Sequence, residues 1–407
     1  MKIIDIEAIP VQSGDRTFVP VLVTTDEGIV GLGEAALQRR WLAVAGVIDH
    51  LRGWLIGEDP FRIEHIWQRI SRGGFYPADR TVGSALSAID IALWDIKGQA
   101  LGVPIYELLG GRVRDTIECF FRPMAPMPDA DEETVDALER LAPRSDEEAL
   151  RELVRIQIAS GHRFYRVAPD MRSGRERYGV ADTSETFDAR RAVDSLIEEL
   201  SIVRDEAGGA LDLMVDLHGR LTPSESLRFF ERSAHLDLFA VEDPVRAEHP
   251  KAYELVRSHT SIPLAAGEQW ASKWEARHVI ERELVDYIRP DLCLSGGFTE
   301  AKKIAALAET HYVQLMPHNP LGPACTFASL HLGFATDNAG LQEILYLPSR
   351  NLPDVFECEL VFEGHRVHAP SRPGLGITFN RAAAAHHPPE KTEPPHYRRP
   401  DGAFTNC

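Results

Sequence analysis

The segment that runs from Leu213-Met-Val-Asp-Leu-His218 to Pro263-Leu-Ala-Ala-Gly-Glu268 decides how this chain is read. Within it Asp216 closes Leu213-Met-Val, Glu242 closes Leu238-Phe-Ala-Val, and Glu268 closes Pro263-Leu-Ala-Ala-Gly. The three acids are spaced 26 residues apart, twice over. Each apolar run has the length of a buried strand, and each interval has room for a helix. The beat is that of βα units, with an acid at the C-terminal end of three consecutive strands. Neighbouring parallel strands lie about 4.8 Å apart. Three carboxylates at one height would repel one another and raise their pKa values unless a cation sat among them. An all-oxygen set suits Mg²⁺ better than Zn²⁺.

The alternation continues on both sides. Ile117 to Phe121 and Arg163-Phe-Tyr-Arg-Val-Ala168 read as strands before this segment. Val285 to Asp291, Val313-Gln-Leu-Met-Pro-His318 and Leu341-Gln-Glu343 read as strands after it. Helical stretches fill 146–160, 185–207, 222–234, 248–259, 271–281, 298–309 and 324–335. Eight strands between 117 and 343 with no regular helix after the last make this an α/β unit, with boundaries at 115 and 345. Residues 124–150, rich in Pro, Asp and Glu, read as a solvated insertion, and Met171 to Arg177 as a polar loop.

Residues 1–114 read as a separate α+β block. Strands at 2–11 and 19–25 precede helices at 41–56, 60–71 and 82–101. In the last helix Val82, Ala85, Leu86, Ile89, Leu93, Ile96 and Ala100 share a face, and Gly102 and Pro104 stop it. Gly31-Leu-Gly-Glu-Ala35 reads as a tight loop, and not as a phosphate-binding fingerprint, which needs a third glycine. Arg72-Gly-Gly-Phe-Tyr-Pro77, carrying Tyr76, reads as a lid over a site or as a plain connector, and the Gly-rich, aromatic-bearing stretches 14–40 and 72–80 are expected to close over a site. Residues 346–381 hold strand-like pieces that return to this block. The last segment, 382–407, reads as a disordered tail.

With 407 residues, 44% hydrophobic and 26% charged, the chain has room for a barrel and a smaller domain. Its net charge of −18 disfavours nucleic acid and anionic membranes as partners. A small acidic substrate needs only a local cation. Five scattered cysteines without a CxxC pair fit reduced thiols in a cytoplasm. There is no signal-peptide core and no apolar run of spanning length.

Two of the 16 histidines fall at strand ends beside the carboxylates. His218 follows Asp216 by two positions, which in a strand points both the same way. His318 ends another strand. Imidazole is the natural proton carrier near neutral pH. Asp291 is placed to orient His318 as a dyad; its other reading is a salt bridge with Arg289. Glu343 would bind substrate, orient a neighbour or support the fold. A cation, two histidines and an anionic pocket together suit removal of a proton α to a carboxylate, with the charge of the enediolate absorbed as it forms. The handling of an ene-diolate by a Lys or His base with Mg²⁺ is the known pattern of enolase-superfamily sites.

These motifs resemble the enolase superfamily, mandelate racemase subgroup. The resemblance is carried by Val-Asp216-Leu-His218-Gly-Arg, Val-Glu242-Asp-Pro, Ala-Gly-Glu268, Arg-Pro-Asp291 before Ser-Gly-Gly, Pro-His318-Asn-Pro-Leu-Gly-Pro and Pro373-Gly-Leu-Gly-Ile377. It covers roughly residues 1–380. It implies a modified TIM barrel, (β/α)₇β, capped by an α+β domain built from both chain ends. It also implies Mg²⁺ ligands Asp216, Glu242 and Glu268, a His318–Asp291 dyad, and a homo-oligomer. Asp-x-His and Pro-His-x-Pro-Leu-Gly-Pro look most like sugar-acid dehydratases of the galactonate, gluconate and mannonate kinds. In those, His318 would take the C2 proton and His218 would protonate the departing 3-hydroxyl. Racemases and cycloisomerases of the group carry Lys-x-Lys on the second strand, where this chain has Phe164 and Arg166, and arginine is a very poor base. Arg166 and Arg122 would bind hydroxyls or a second carboxylate, or support the barrel mouth. Tyr76, Trp270 and Arg289 are the remaining candidates for substrate contact.

Overall fold

The computed structural model describes residues 1–14, 16–122, 125–141, 146–168, 187–391 and 397–405. The N-terminal block is an antiparallel sheet of β1 (Ile3–Ala8), β2 (Val11–Ser13), β3 (Arg16–Thr25) and β4 (Val30–Ala35), with β3 central. Strand β3 is apolar on both alternations. Val19, Val21 and Val23 face the cap helices, while Phe18 and Leu22 join the barrel's core. Three helices cover the sheet: α1 (Trp41–Leu55), α2 (Ile63–Arg72) and α3 (Arg80–Leu101). Asp79 starts α3 by accepting from the backbone N–H of Thr81 and Val82, both at 2.9 Å, a cap worth about 1 kcal/mol. Gly102, at φ 70°, ends it.

Gly31 and Gly33 are not in a loop, as the sequence led us to expect. They lie in β4, where a Cβ would come within 2.1 Å of the Ala92 carbonyl oxygen and 1.9 Å of that of Ala88. The glycines let the strand lie directly on α3, which turn chemistry alone did not reveal.

After the short helix α4 (Ile105–Leu108) the barrel begins with β5 (Thr116–Phe121), α5 (Glu132–Leu141), α6 (Glu147–Ala159) and β6 (Phe164–Val167). It continues through α7 (Ala189–Ala207), β7 (Asp212–Asp216), α8 (Pro223–Ser233), β8 (Leu238–Glu242), α9 (Ala252–Arg257), β9 (Leu264–Ala266) and α10 (Lys273–Glu281). It ends with β10 (Tyr287–Ile288), α11 (Gly297–Glu309), β11 (Gln314–Leu315), α12 (Pro323–Phe334) and β12 (Gln342–Ile344). A parallel ladder runs from β6 to β11, β12 pairs in parallel with β5, and a parallel bridge from Leu315 to Ala339 ties β11 to the approach to β12. Among the described residues no ladder joins β5 to β6. Phe120, Phe164, Met214, Ala265, Met316 and Leu341 fill the barrel's interior as a packed layer. The stretch expected to be a solvated insertion is partly core: α5 buries Leu138 and Leu141, and Met127 is buried before it. The acid-rich exposed face of α5 masked this apolar stripe. The polar loop read at Met171 to Arg177 lies outside the described residues.

The C-terminal segment packs on both the barrel and the N-terminal block. β13 (Phe356–Cys358) pairs with β16 (Ile377–Phe379), and β15 (Arg366–His368) pairs with both β14 (Phe362–Glu363) and β5. Asp95 of α3 accepts from Leu32 N at 2.8 Å and Leu375 N at 2.7 Å, joining helix, cap sheet and C-terminal segment. Burial lifts its pKa to about 6. The expected disordered tail is corrected for its described residues. A short helix, α13 (Arg381–Ala384), continues the chain. Further on, Tyr397 is 2% exposed, its ring lies 6.2 Å from that of Phe187, and the Arg220 guanidinium sits 5.1 Å from its centre. One aromatic anchor outweighs the Pro- and His-rich composition that suggested disorder. Among the described residues, no helix is long and apolar enough to cross a membrane.

Candidate active site

Strands β7, β8 and β9 deliver their acids to one place. Asp216 and Glu242 are paired in register across β7 and β8. Carboxylate oxygens of Asp216, Glu242 and Glu268 all lie within 4.8 Å of one another. Glu268 is turned to this height by Gly267, at φ 142°, where a Cβ would meet the Arg289 backbone nitrogen at 2.8 Å. Only glycine fits that step.

Two buried arginines stand behind the trio. Arg166 of β6 places Nη2 2.6 Å from Asp216 Oδ2 and 2.7 Å from Glu242 Oε2. Arg289 pairs through Nε with Glu242, and through Nη2 with Glu343 at 2.5 Å. Burial raises the pKa of Glu242; Arg289 opposes this, Asp216 adds to it and Arg166 opposes it. For Asp216, burial also works against ionisation, but the charges of His218 and Arg166 outweigh it and hold the carboxyl below its ordinary range. Three crowded carboxylates are hard oxygen donors of the kind a Mg²⁺-type cation takes, and Asp216, Glu242 and Glu268 could hold one.

His318 faces the trio from β11. Its Nδ1 lies 3.0 Å from Asp291 Oδ2, and its Nε2 lies 3.2 Å from Glu268 Oε2. Asp291 can only accept from Nδ1, so Nε2 is the nitrogen that gains or loses the working proton. Burial disfavours the charged ring. The charge of Glu268 and the hydrogen bond to Asp291 outweigh it and push the pKa up to about 9. Asp291 is itself held by the backbone N–H of Cys293 at 2.8 Å. The alternative pairing of Asp291 with Arg289 is not what the structure shows, since Arg289 engages Glu242 and Glu343.

His218 departs from the extended geometry expected of it. The strand ends at Asp216, and His218 takes φ 48° in the turn that follows. Its backbone N–H donates to Asp216 Oδ1 at 2.8 Å, and its Nε2 lies 2.7 Å from Asp216 Oδ2. The ring therefore still folds back to the carboxylates. At 31% exposure the side chain has room to leave Asp216.

The remaining candidates lie at different depths. Glu343 is fully buried and receives Arg289 and the Asn319 backbone N–H at 2.9 Å, so it orients the residue after His318, one of the roles expected of it. Arg289 is equally buried and lies beneath the carboxylates. Trp270 is 3% exposed, with Nε1 donating to the Ala247 carbonyl at 3.3 Å and its ring against Tyr253. Arg166 serves the trio. Tyr76 is 81% exposed and stacks edge-on with Phe75. Arg122 stands at the barrel mouth, its Nη2 3.1 Å from the Tyr346 hydroxyl.

A cavity of about 390 Å³ opens over His318, Glu268 and Asp291, and its cap-side wall includes Gln38, Arg39, Arg40 and Arg80. All four lie in the two stretches, 14–40 and 72–80, expected to close over a site, although the sequence singled out none of them by name. Leu37 takes a left-handed conformation, φ 56°, and turns the short 3₁₀ segment Gln38–Arg40 over the site.

Two family descriptions match the chain: "Mandelate racemase / muconate lactonizing enzyme, N-terminal domain" over residues 8–110, and "Enolase C-terminal domain-like" over residues 150–383. A D-galactonate dehydratase family member from Streptomyces bingchenggensis is 36% identical, covering 97% of this chain and 96% of its own. A D-mannonate dehydratase from Caulobacter vibrioides is 34% identical over the full length of both. The crystal structure of an enolase from Pantoea ananatis with bound D-gluconate and Mg superposes with a TM-score of 0.87 at 30% identity, covering 99% of both chains. With both halves matched and relatives similar end to end, the chain belongs to the enolase superfamily, in the mandelate racemase/muconate lactonizing enzyme family.

Proposed function

We propose that the protein is a Mg²⁺-dependent hydro-lyase that converts a sugar acid, an aldonate such as galactonate, gluconate or mannonate, into its 2-keto-3-deoxy acid. The observation that carries this reading is the His318 ring, fixed by Asp291 at Nδ1 and presenting Nε2 beside Glu268. The named activities of the galactonate and mannonate dehydratase relatives support it. A bound divalent cation would supply the electrostatic stabilisation that an enediolate needs.

The chain's own residues do the rest. His318 Nε2 removes the C2 proton, and the freed electron pair moves into the C1–C2 bond, giving the enediolate. Those electrons then form the C2–C3 double bond as the C3–O bond breaks. His218 gives a proton to the departing hydroxyl, which leaves as water. The resulting enol takes a proton at C3 and becomes the 2-keto acid. Asp291 holds the base's tautomer, and Arg166 and Arg289 keep the carboxylates aimed.

A racemase or epimerase needs a base on each face of C2. Arg166, where such enzymes of the family carry lysine, is locked to Asp216 and Glu242 and cannot accept a proton near neutrality. That favours elimination. Incubation with Mg²⁺ and a panel of aldonic and aldaric acids, read by mass spectrometry, tests the proposal. Loss of water from at least one acid is expected. Change of configuration without loss of water would contradict it.

A further inference from the structure

The geometry points to a second anion-binding subsite at the barrel mouth, formed by Arg16 and Arg122 around Tyr346, that takes a charged group at the far end of the sugar acid. The inference rests on the sugar-acid reading and narrows it. The substrate class would be a sugar acid with a terminal carboxylate or phosphate.

Arg122 directly follows β5, and Tyr346 lies two residues past β12, so both sit at the C-terminal face of the barrel. The Arg122 guanidinium lies 4.8 Å from the centre of the Tyr346 ring, with Nη2 3.1 Å from its hydroxyl. The Arg16 guanidinium, from the start of β3, lies 5.5 Å from the same ring centre. Its Nη1 donates to the carbonyl of Pro320, two residues past His318, at 3.3 Å. Phe18 packs edge-on against the ring at 5.8 Å and holds it in place. Two like charges thus share one aromatic ring.

Neither guanidinium has a carboxylate partner among the described residues. This stands out in a chain with 62 acidic and 44 basic residues. Arg166 and Arg289, on the same face, are both saturated with carboxylates. Arg16 also keeps a buried Nε without a hydrogen-bond partner. Two cations held at one ring with no anion beside them repel each other, and an anion bound by both would offset that cost.

The position in the ring fits one substrate. In strand order β5 to β12, β12 stands opposite β8 and β5 opposite β9. The Arg16–Tyr346–Arg122 group therefore faces Glu242 and Glu268 across the mouth. Eight strands about 4.8 Å apart and tilted about 36° enclose a ring about 15 Å across. An extended six-carbon chain is about 6 Å long. With side chains reaching inward from both walls, an acid held at the trio would extend toward the guanidiniums.

The test is calorimetric binding to the Mg²⁺-loaded protein. The probes are six-carbon acids of gluco, galacto and manno configuration, each as monoacid, 1,6-diacid and 6-phosphate. In at least one series a terminally charged form is expected to bind about tenfold tighter than its monoacid. Whether diacid or 6-phosphate wins identifies the group. R16Q and R122Q should each shrink the advantage and the double variant should remove it, whereas R122K, which keeps the charge, should retain most of it. Equal affinities in every series, or an advantage that survives the double variant, would overturn the subsite. Because the readout is binding, it scores the subsite even if no acid in the panel loses water, a result that would instead overturn the dehydratase reading.

Discussion

At the residue scale, the site is a balance of charge around Glu268. This carboxylate supports the proton on His318 and belongs to the cation-binding trio. The His318 pKa, pushed up to about 9, leaves the ring protonated at neutral pH while Glu268 is free to face it. A cation that takes Glu268 withdraws that support and frees Nε2 to act as a base. Mg²⁺ binding near pH 7.5 is therefore expected to release protons, seen as a dependence of the calorimetric heat on the buffer's ionisation enthalpy. E268Q should weaken Mg²⁺ binding by more than about tenfold and remove the proton release. An unchanged isotherm in E268Q would exclude Glu268 as a ligand. Asp216 and Glu242 were legible in the sequence because strand ends fix both their height and direction, whereas Glu268, Asp291 and His318, in the turns just past β9, β10 and β11, were legible from the recurrence of the pattern. Glu343 and Arg289 lie at equally regular positions, but their depth below the mouth is set by packing that the sequence pattern does not encode. Arg39 and Arg80 come from another domain; their stretches were expected over the site, but which of their side chains line it is set by packing against the barrel.

At the element scale, α12 is the joint between barrel and cap. Its N-terminus is bound by Glu34 of β4, which accepts from Gly322 N at 2.7 Å and Cys325 N at 3.0 Å. Burial pushes this carboxyl up to about 7. Further along, His331 accepts from Tyr106 N of α4 at 3.3 Å through Nδ1, so its proton sits on Nε2 and is donated to the Leu375 carbonyl at 3.1 Å. Burial lowers its pKa from the ordinary 6.5 to about 4. The unfolded chain takes a proton near pH 6.5 that the folded chain refuses until about pH 4. The stabilisation from neutral His331 is thus present above the ordinary value and lost as pH falls toward the folded one, by up to about 3 kcal/mol. The stability gap between wild type and H331Q, from urea unfolding, should narrow by about that amount as pH falls through this window. A gap that stays constant or widens would contradict the assignment. The helices of this joint were legible from periodicity, as was the stop of α3 at Gly102. The identity of β4 was not, because Gly31 and Gly33 carry the same local signal in a turn as under a tightly packed helix.

At the scale of the whole molecule, the barrel gathers the carboxylates and both histidines from β7 to β11, and the subsite proposed above uses the opposite side, β12 and β5. The order of elements and the (β/α)₇β architecture were readable from the recurrence of strand and acid, since a repeated interval survives local errors in strand length. The packing of the tail was not, because it depends on Tyr397 finding Phe187 and Arg220 far away in sequence. The central claim is that His318 removes the C2 proton and His218 assists the departing hydroxyl. The most direct measurement follows hydrogen exchange at C2 and loss of water in D₂O, with an acid that the wild type dehydrates. Wild type should lose water and place deuterium at C3 of the product. H318N should show neither C2 exchange nor product, while H218N should form no product yet still exchange C2 with solvent. Exchange that survives in H318N and vanishes in H218N would contradict the account and reverse the two roles.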